Sequence, residues 1–168
     1  MSSRLINEAE IELARQVFED QLPYGKIHIA NYFLPFNTVP VTLASVSSLV
    51  PVRSLRSYTI YFGPKVFNEG ANAPNNRSSF IHELTHVWQG HHSLFAWEYM
   101  IKSMISQGHA ILVTGDRNNA YTYKLGKAWS KYNVEQQASI VADWFELGMS
   151  TTDERFKFIV NNIRAGHN

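Results

Sequence analysis

The chain has 168 residues, 45% of them hydrophobic and 17% charged; that balance excludes intrinsic disorder and allows one self-sufficient core. The 15 Lys and Arg against 14 Asp and Glu leave a net charge of +1, which excludes nucleic-acid binding through bulk charge. Cysteine is absent, so disulfides, thiolate metal sites and cysteine nucleophiles are ruled out.

The N-terminal ten residues carry Glu8 and Glu10 and no continuous apolar run, unlike a signal peptide. The expectation is a protein made in the cytoplasm, with any export leaderless. The nearly uncharged stretch 27–52 contains Pro35, Pro40 and Pro51. Prolines at that density fit strands and turns, and no membrane span is expected.

Residues 5–20 read as an amphipathic helix, with Ile6, Ala9, Leu13 and Val17 on one stripe and Pro23 and Gly25 beyond its end. From 26 to 63 the period shortens and β-branched residues dominate. Three or four short strands are predicted, the last at 57–62. Residues 67–77 read as a loop by composition. Helices follow at 79–89 and 94–107, with a polar turn at 113–119. Asn133 caps a helix over 134–147 that Gly148 stops. Thr151 and Glu154 form the pattern of a capping box for a last helix reaching about Arg164. No repeat or linker appears, so 1–168 reads as a single α+β domain: a small, mostly antiparallel sheet and a helical half. The set Trp88, Trp97, Trp129 and Trp144 reads as core.

The chemistry lies in His82-Glu83-Leu84-Thr85-His86. On a helix, residues four apart sit about 6 Å apart along the axis on one face, so two imidazoles can reach one ion. Zinc accepts neutral His nitrogen and favours four-coordination. In zinc peptidases the Glu of this motif is the general base and not a ligand. Shuffling this composition produces the pattern in roughly 2% of chains, so composition alone does not explain it. Two residues compete as the third ligand. His92 follows His86 by six, the metzincin spacing, but Gln89 stands where that pattern has its glycine. Glu135 opens a later helix and would complete a His₂Glu shell. As a pair, His91 and His92 read as a solvated C-terminal pair.

The string His82-Glu-Leu-Thr-His-Val-Trp-Gln89, with Tyr121-x-Tyr123 and the Tyr132-Asn-Val-Glu-Gln-Gln-Ala138 segment, resembles bacterial zincin-like metallopeptidases. Their members include the metallopeptidase extension at the C-terminus of some type VI secretion VgrG spike proteins. The resemblance implies a zincin-like fold and a Zn²⁺ site of His82, His86 and Glu135, with Glu83 as base. It further implies an antibacterial effector acting in a target cell's periplasm on proteins or on peptidoglycan peptides. A secretion spike and a cognate immunity protein are the partners expected of such an effector. This sequence carries no spike portion, so the expectation is either a free-standing member or an excised domain.

Tyr121, Tyr123 and Tyr132 are candidates for stabilising an oxyanion. Asp143, Asp116 and Glu98 are candidate hydrogen-bond partners of the ligand histidines. The strand around 58–62 is the candidate edge for an extended substrate. Two other readings fit the same motif. One is a degenerate zincin that binds metal for stability without catalysis; the other is a cytoplasmic housekeeping peptidase.

Overall fold

The computed structural model describes residues 2–33, 40–45, 53–94 and 121–167. The expected helix at 94–107, the turn at 113–119, and Trp97, Glu98 and Asp116 lie outside them.

A short strand precedes the expected helix, which begins three residues later than its apolar stripe predicts. β1 spans Ser3–Leu5, and α1 spans Glu8–Phe18. Asn7 sets the boundary. Its side chain accepts from the Glu10 N–H at 3.0 Å, and the Glu10 carboxylate accepts from the Asn7 N–H at 2.9 Å. This reciprocal cap satisfies two donors that the helix start leaves open. Ile6 kept the apolar stripe going because it is buried from the strand side of that boundary.

Three further strands are β2 (Ile27–Ala30), β3 (Val41–Ala44) and β4 (Tyr58–Tyr61). Their order is β1-β2-β4-β3. β1 with β2 and β3 with β4 run antiparallel, while β2 and β4 run parallel, Ile27 opposite Tyr58. The sheet is therefore mixed. β4 lies inside it, and β3 ends the order. Among the described strands β4 is thus not the margin expected from sequence at 58–62; β1 and β3 are the margins.

A short helix, α2 (Gly63–Glu69), replaces the first part of the expected loop. Pro64 pre-sets its first turn. Gly63 has φ +76°, and a Cβ there would lie 2.3 Å from the Phe33 ring, so the entry requires glycine.

α3 (Arg77–His92) is the central helix. Phe80, Ile81, Leu84, Val87 and Trp88 are buried on one side and Glu83, Thr85, His86 and Gln89 on others. A helix covered all round packs between layers rather than on a surface. Here the layers are β3 and α4 (Val134–Glu146). Arg56, 1% exposed, closes the C-terminal end of α3 by donating to Gly90 O at 2.9 Å, His91 O at 3.1 Å and Ser93 O at 2.8 Å. These carbonyls have few intrahelical partners, and a cation there suits the helix dipole.

Asn133 and Gln136 form a reciprocal cap on α4, and Gly148 follows its end at φ +86°. The last helical segment begins at α5 (Phe156–Phe158) and continues as a π-turn, Ile159–Ile163. The capping box expected from Thr151 and Glu154 does not form. The Asp153 Oδ1 accepts from the Arg155 N–H at 2.7 Å instead, starting the helix later. The core joins Val17 and Phe18 of α1, Ile27, Ile29 and Ile60 of the sheet, and Ile140, Val141, Trp144, Ile159 and Ile163. Trp88 and Trp129 belong to it too, as their composition suggested. No described helix is long and apolar enough to cross a membrane.

Candidate metal centre

His82, Glu83 and His86 share one turn of α3. The His82 and His86 ring centroids are 5.0 Å apart with planes at 82°, the spacing that one helical turn imposes. Because its cap fixes the start of α4, Glu135 lies in that helix's first turn, where the macrodipole favours a carboxylate. Its Oε2 lies 3.3 Å from His82 Nε2 and 3.3 Å from His86 Nε2. One donor atom from each of the three residues falls within 4.8 Å of the others.

Glu135 is 2% exposed and His86 6%. Burial pushes the Glu135 carboxyl up, but the two imidazoles outweigh it and hold the group well below the usual carboxylate range. Burial likewise pulls His86 down, and the facing Glu135 carboxylate overrides it, lifting the imidazole to about 9. Two nitrogen lone pairs and a carboxylate in this contact repel one another unless they share a cation. Without a metal the facing carboxylate favours a proton on His86. With one, two imidazole nitrogens and a carboxylate oxygen are the donor set that zinc takes. The residues therefore fit a zinc ion.

Glu83 faces the sheet. The Thr42 hydroxyl of β3 donates to its carboxylate at 2.7 Å and lies 3.2 Å from its carbonyl oxygen. Behind His86, Nδ1 lies 2.8 Å from Gln89 Oε1. The Gln89 amide donates to Val134 O at 3.0 Å and to Gln137 Oε1 at 2.9 Å, and the Gln137 amide donates to Trp129 O at 3.2 Å.

The three tyrosines separate. Tyr121 packs against His82, ring centroids 5.9 Å apart. Tyr123 gives its hydroxyl proton to Asp143 and accepts from Arg155 Nε at 2.9 Å. Tyr132 donates to Lys124 O at 3.0 Å and packs on Phe158. Tyr123 therefore spends its hydroxyl on Asp143 and Arg155, and Tyr132 on the backbone, and of the three tyrosines Tyr121 is the one that packs on His82.

His92 is also elsewhere. Its Nε2 meets Gln21 O at 3.0 Å, and its ring lies 5.0 Å from the Trp88 ring. Nor are His91 and His92 the solvated pair expected. Both are half-buried. Burial first, then His92 and the nearby Arg53, Arg56 and Lys26, push His91 down to about 4.

Sequence reasoning missed Thr42, Gln89 and Gln137. Gln89 carried a usable signal, three residues after His86 on the same helix face. Thr42 carried none, since strand pairing 41 residues away brings it to Glu83.

No protein-family model matches the chain. It is 29% identical over 176 aligned residues to the type VI secretion system spike protein VgrG2b of Pseudomonas aeruginosa, covering 99% of this chain and 16% of that protein. The chain thus spans about a sixth of the length of the curated relative it matches. Among solved structures it is similar to the effector domain of Pseudomonas aeruginosa VgrG2b, at 27% identity and a TM-score of 0.64. That match covers 94% of this chain and 82% of the domain. The chain is similar to a VgrG effector domain over most of its length and shares its α+β architecture.

Proposed function

We propose that the chain is a zincin-like, zinc-dependent metallopeptidase that serves as a type VI secretion effector. The observation that carries the reading is the convergence of His82, His86 and Glu135 on one point, with Glu83 in the same helical turn. The relation to an effector domain supports the secretory role.

A bound zinc ion would supply Lewis acidity, polarising a scissile carbonyl and acidifying water. The remaining work falls to the chain. His82, His86 and Glu135 hold the ion. Glu83 takes a proton from the attacking water and returns it to the leaving amine. Thr42 keeps the Glu83 carboxylate in one orientation. Tyr121, whose ring packs on His82, is the candidate donor to the developing oxyanion. β3 ends the strand order and carries Thr42 onto Glu83, so an extended peptide pairing along that margin would lie beside the base. Proteins and peptidoglycan cross-links in a target cell's periplasm are the substrate classes such an effector meets.

Zinc content and peptide hydrolysis of the purified protein, with and without Glu83→Gln, test this reading. The variant is expected to keep zinc and lose about 10²- to 10⁴-fold in turnover. Periplasmic targeting of the wild type in a test bacterium should cause harm that Glu83→Gln does not. Undiminished hydrolysis by Glu83→Gln, or wild-type protein that takes no zinc, contradicts it.

A further inference from the structure

Two backbone carbonyls decide how the amides behind His86 must point. Trp129 O can only accept, so the Gln137 group 3.2 Å from it is the NH₂. The Gln137 Oε1 then faces Gln89 at 2.9 Å and requires a donor there. Val134 O, 3.0 Å from the same Gln89 nitrogen, imposes the same orientation independently. The Gln89 Oε1 is left facing His86 Nδ1 at 2.8 Å. An amide oxygen accepts, so Nδ1 carries the hydrogen. A neutral imidazole with hydrogen on Nδ1 has its lone pair on Nε2, the atom turned toward Glu135.

We propose that Gln89 and Gln137 form a buried amide relay that fixes the Nδ1–H form of His86 and presents its Nε2 lone pair to the metal. The inference rests on the reading of His86 as a zinc ligand. Gln89 is 1% exposed and Gln137 6%, so water does not readily substitute for either partner. In a buried relay each amide can turn only by leaving a carbonyl opposite another acceptor. The relay also joins α3 to α4 beside the ligands, since Gln89 binds the Val134 carbonyl next to Glu135. The three residues of the Glu135-Gln136-Gln137 segment then divide the work: Glu135 contacts the histidines, Gln136 caps the helix and Gln137 orients Gln89. Gln89 and Gln137 are positioning residues, acting through His86.

The test is zinc affinity by chelator competition on wild type, Gln89→Met and Trp88→Phe. The last, on the same helix as Gln89, cuts the indole bond to Ile163 O and removes no hydrogen bond of the relay. Gln89→Met should weaken zinc binding about 10- to 100-fold, and Trp88→Phe should leave it near the wild-type value. Equal affinity in folded Gln89→Met, or equal losses in both variants, overturns the proposal. Should Gln89→Met not fold, long-range ¹H–¹⁵N correlations of the His86 ring in zinc-loaded wild type decide. Hydrogen on Nδ1 supports the relay, and hydrogen on Nε2 overturns it. If the wild type takes no zinc, the metallopeptidase reading falls and the relay's role falls with it, whereas zinc-binding wild type with equally tight Gln89→Met overturns the relay alone.

Discussion

At the scale of the residue, the site divides into groups that any zinc-binding helix displays and groups that only this fold supplies. His82, Glu83 and His86 were legible because helical geometry alone brings them together. The third donor was not legible from spacing, which left His92 and Glu135 both open. Distance from the motif excludes His92, which the Trp88 ring and the Gln21 carbonyl hold at the far end of α3. Thr42 was invisible because its role follows from strand order. Its hydroxyl meets the carboxylate of Glu83, the proposed base, at 2.7 Å, and a hydrogen bond to a charged group is worth about 1.5–3 kcal/mol. Thr42→Val should therefore lower kcat by about tenfold or more while KM and zinc content hold. Thr42→Ser, which keeps the hydroxyl, should recover most of the rate. Steady-state kinetics on a defined peptide check this, and a Thr42→Val enzyme with wild-type kcat would refute the assignment.

At the scale of the element, helices with strong caps were legible and short or crossed ones were not. Asn133 and Gly148 bracket α4 as their chemistry predicts. α1 begins three residues later than its apolar stripe suggested, because Ile6 serves the core from a strand and a cap serves the helix. The parallel β2–β4 pair joins residues 31 apart, Ile27 and Tyr58, and no local pattern encodes such a pairing. α3 depends on a distant partner as well. Arg56 holds three carbonyls at its C-terminal end at 3.1 Å or less. Arg56→Met keeps the apolar stem and removes those bonds. It should cost about 2–4 kcal/mol in urea unfolding, and a change below about 0.5 kcal/mol would show that the end of α3 needs no cation.

At the scale of the whole molecule, one carboxylate ties distant parts of the chain together. Glu10 accepts from Arg4 on β1 at 2.8 Å, from the Asn7 cap at 2.9 Å and from the Ala71 N–H beyond α2 at 3.0 Å. Burial pushes its carboxyl up, but Arg4 and the two backbone donors prevail and hold it below its usual 4.5. A group whose folded-state pKa is depressed stabilises the protein above the unfolded value, and that stability fades as pH falls through the folded one. Glu10→Gln should accordingly destabilise the protein by about 2–3 kcal/mol at neutral pH. It should also flatten the loss of stability below about pH 4.5, the unfolded value. Thermal melts from pH 7 to pH 3 read both effects, and parallel curves for variant and wild type would contradict the assignment.

The chain's relation to an effector domain and its buried His₂Glu cluster meet in one claim, that α3 and α4 are packed to hold a zinc ion. Anomalous diffraction at the zinc edge on crystals of the purified wild-type protein addresses that claim most directly. The predicted result is a single peak within bonding distance of His82 Nε2, His86 Nε2 and a Glu135 oxygen, about 2.0–2.2 Å from each. A zinc-supplied crystal with no peak there, or with the ion bound through other residues while Glu135 stays on the two imidazoles, would contradict it.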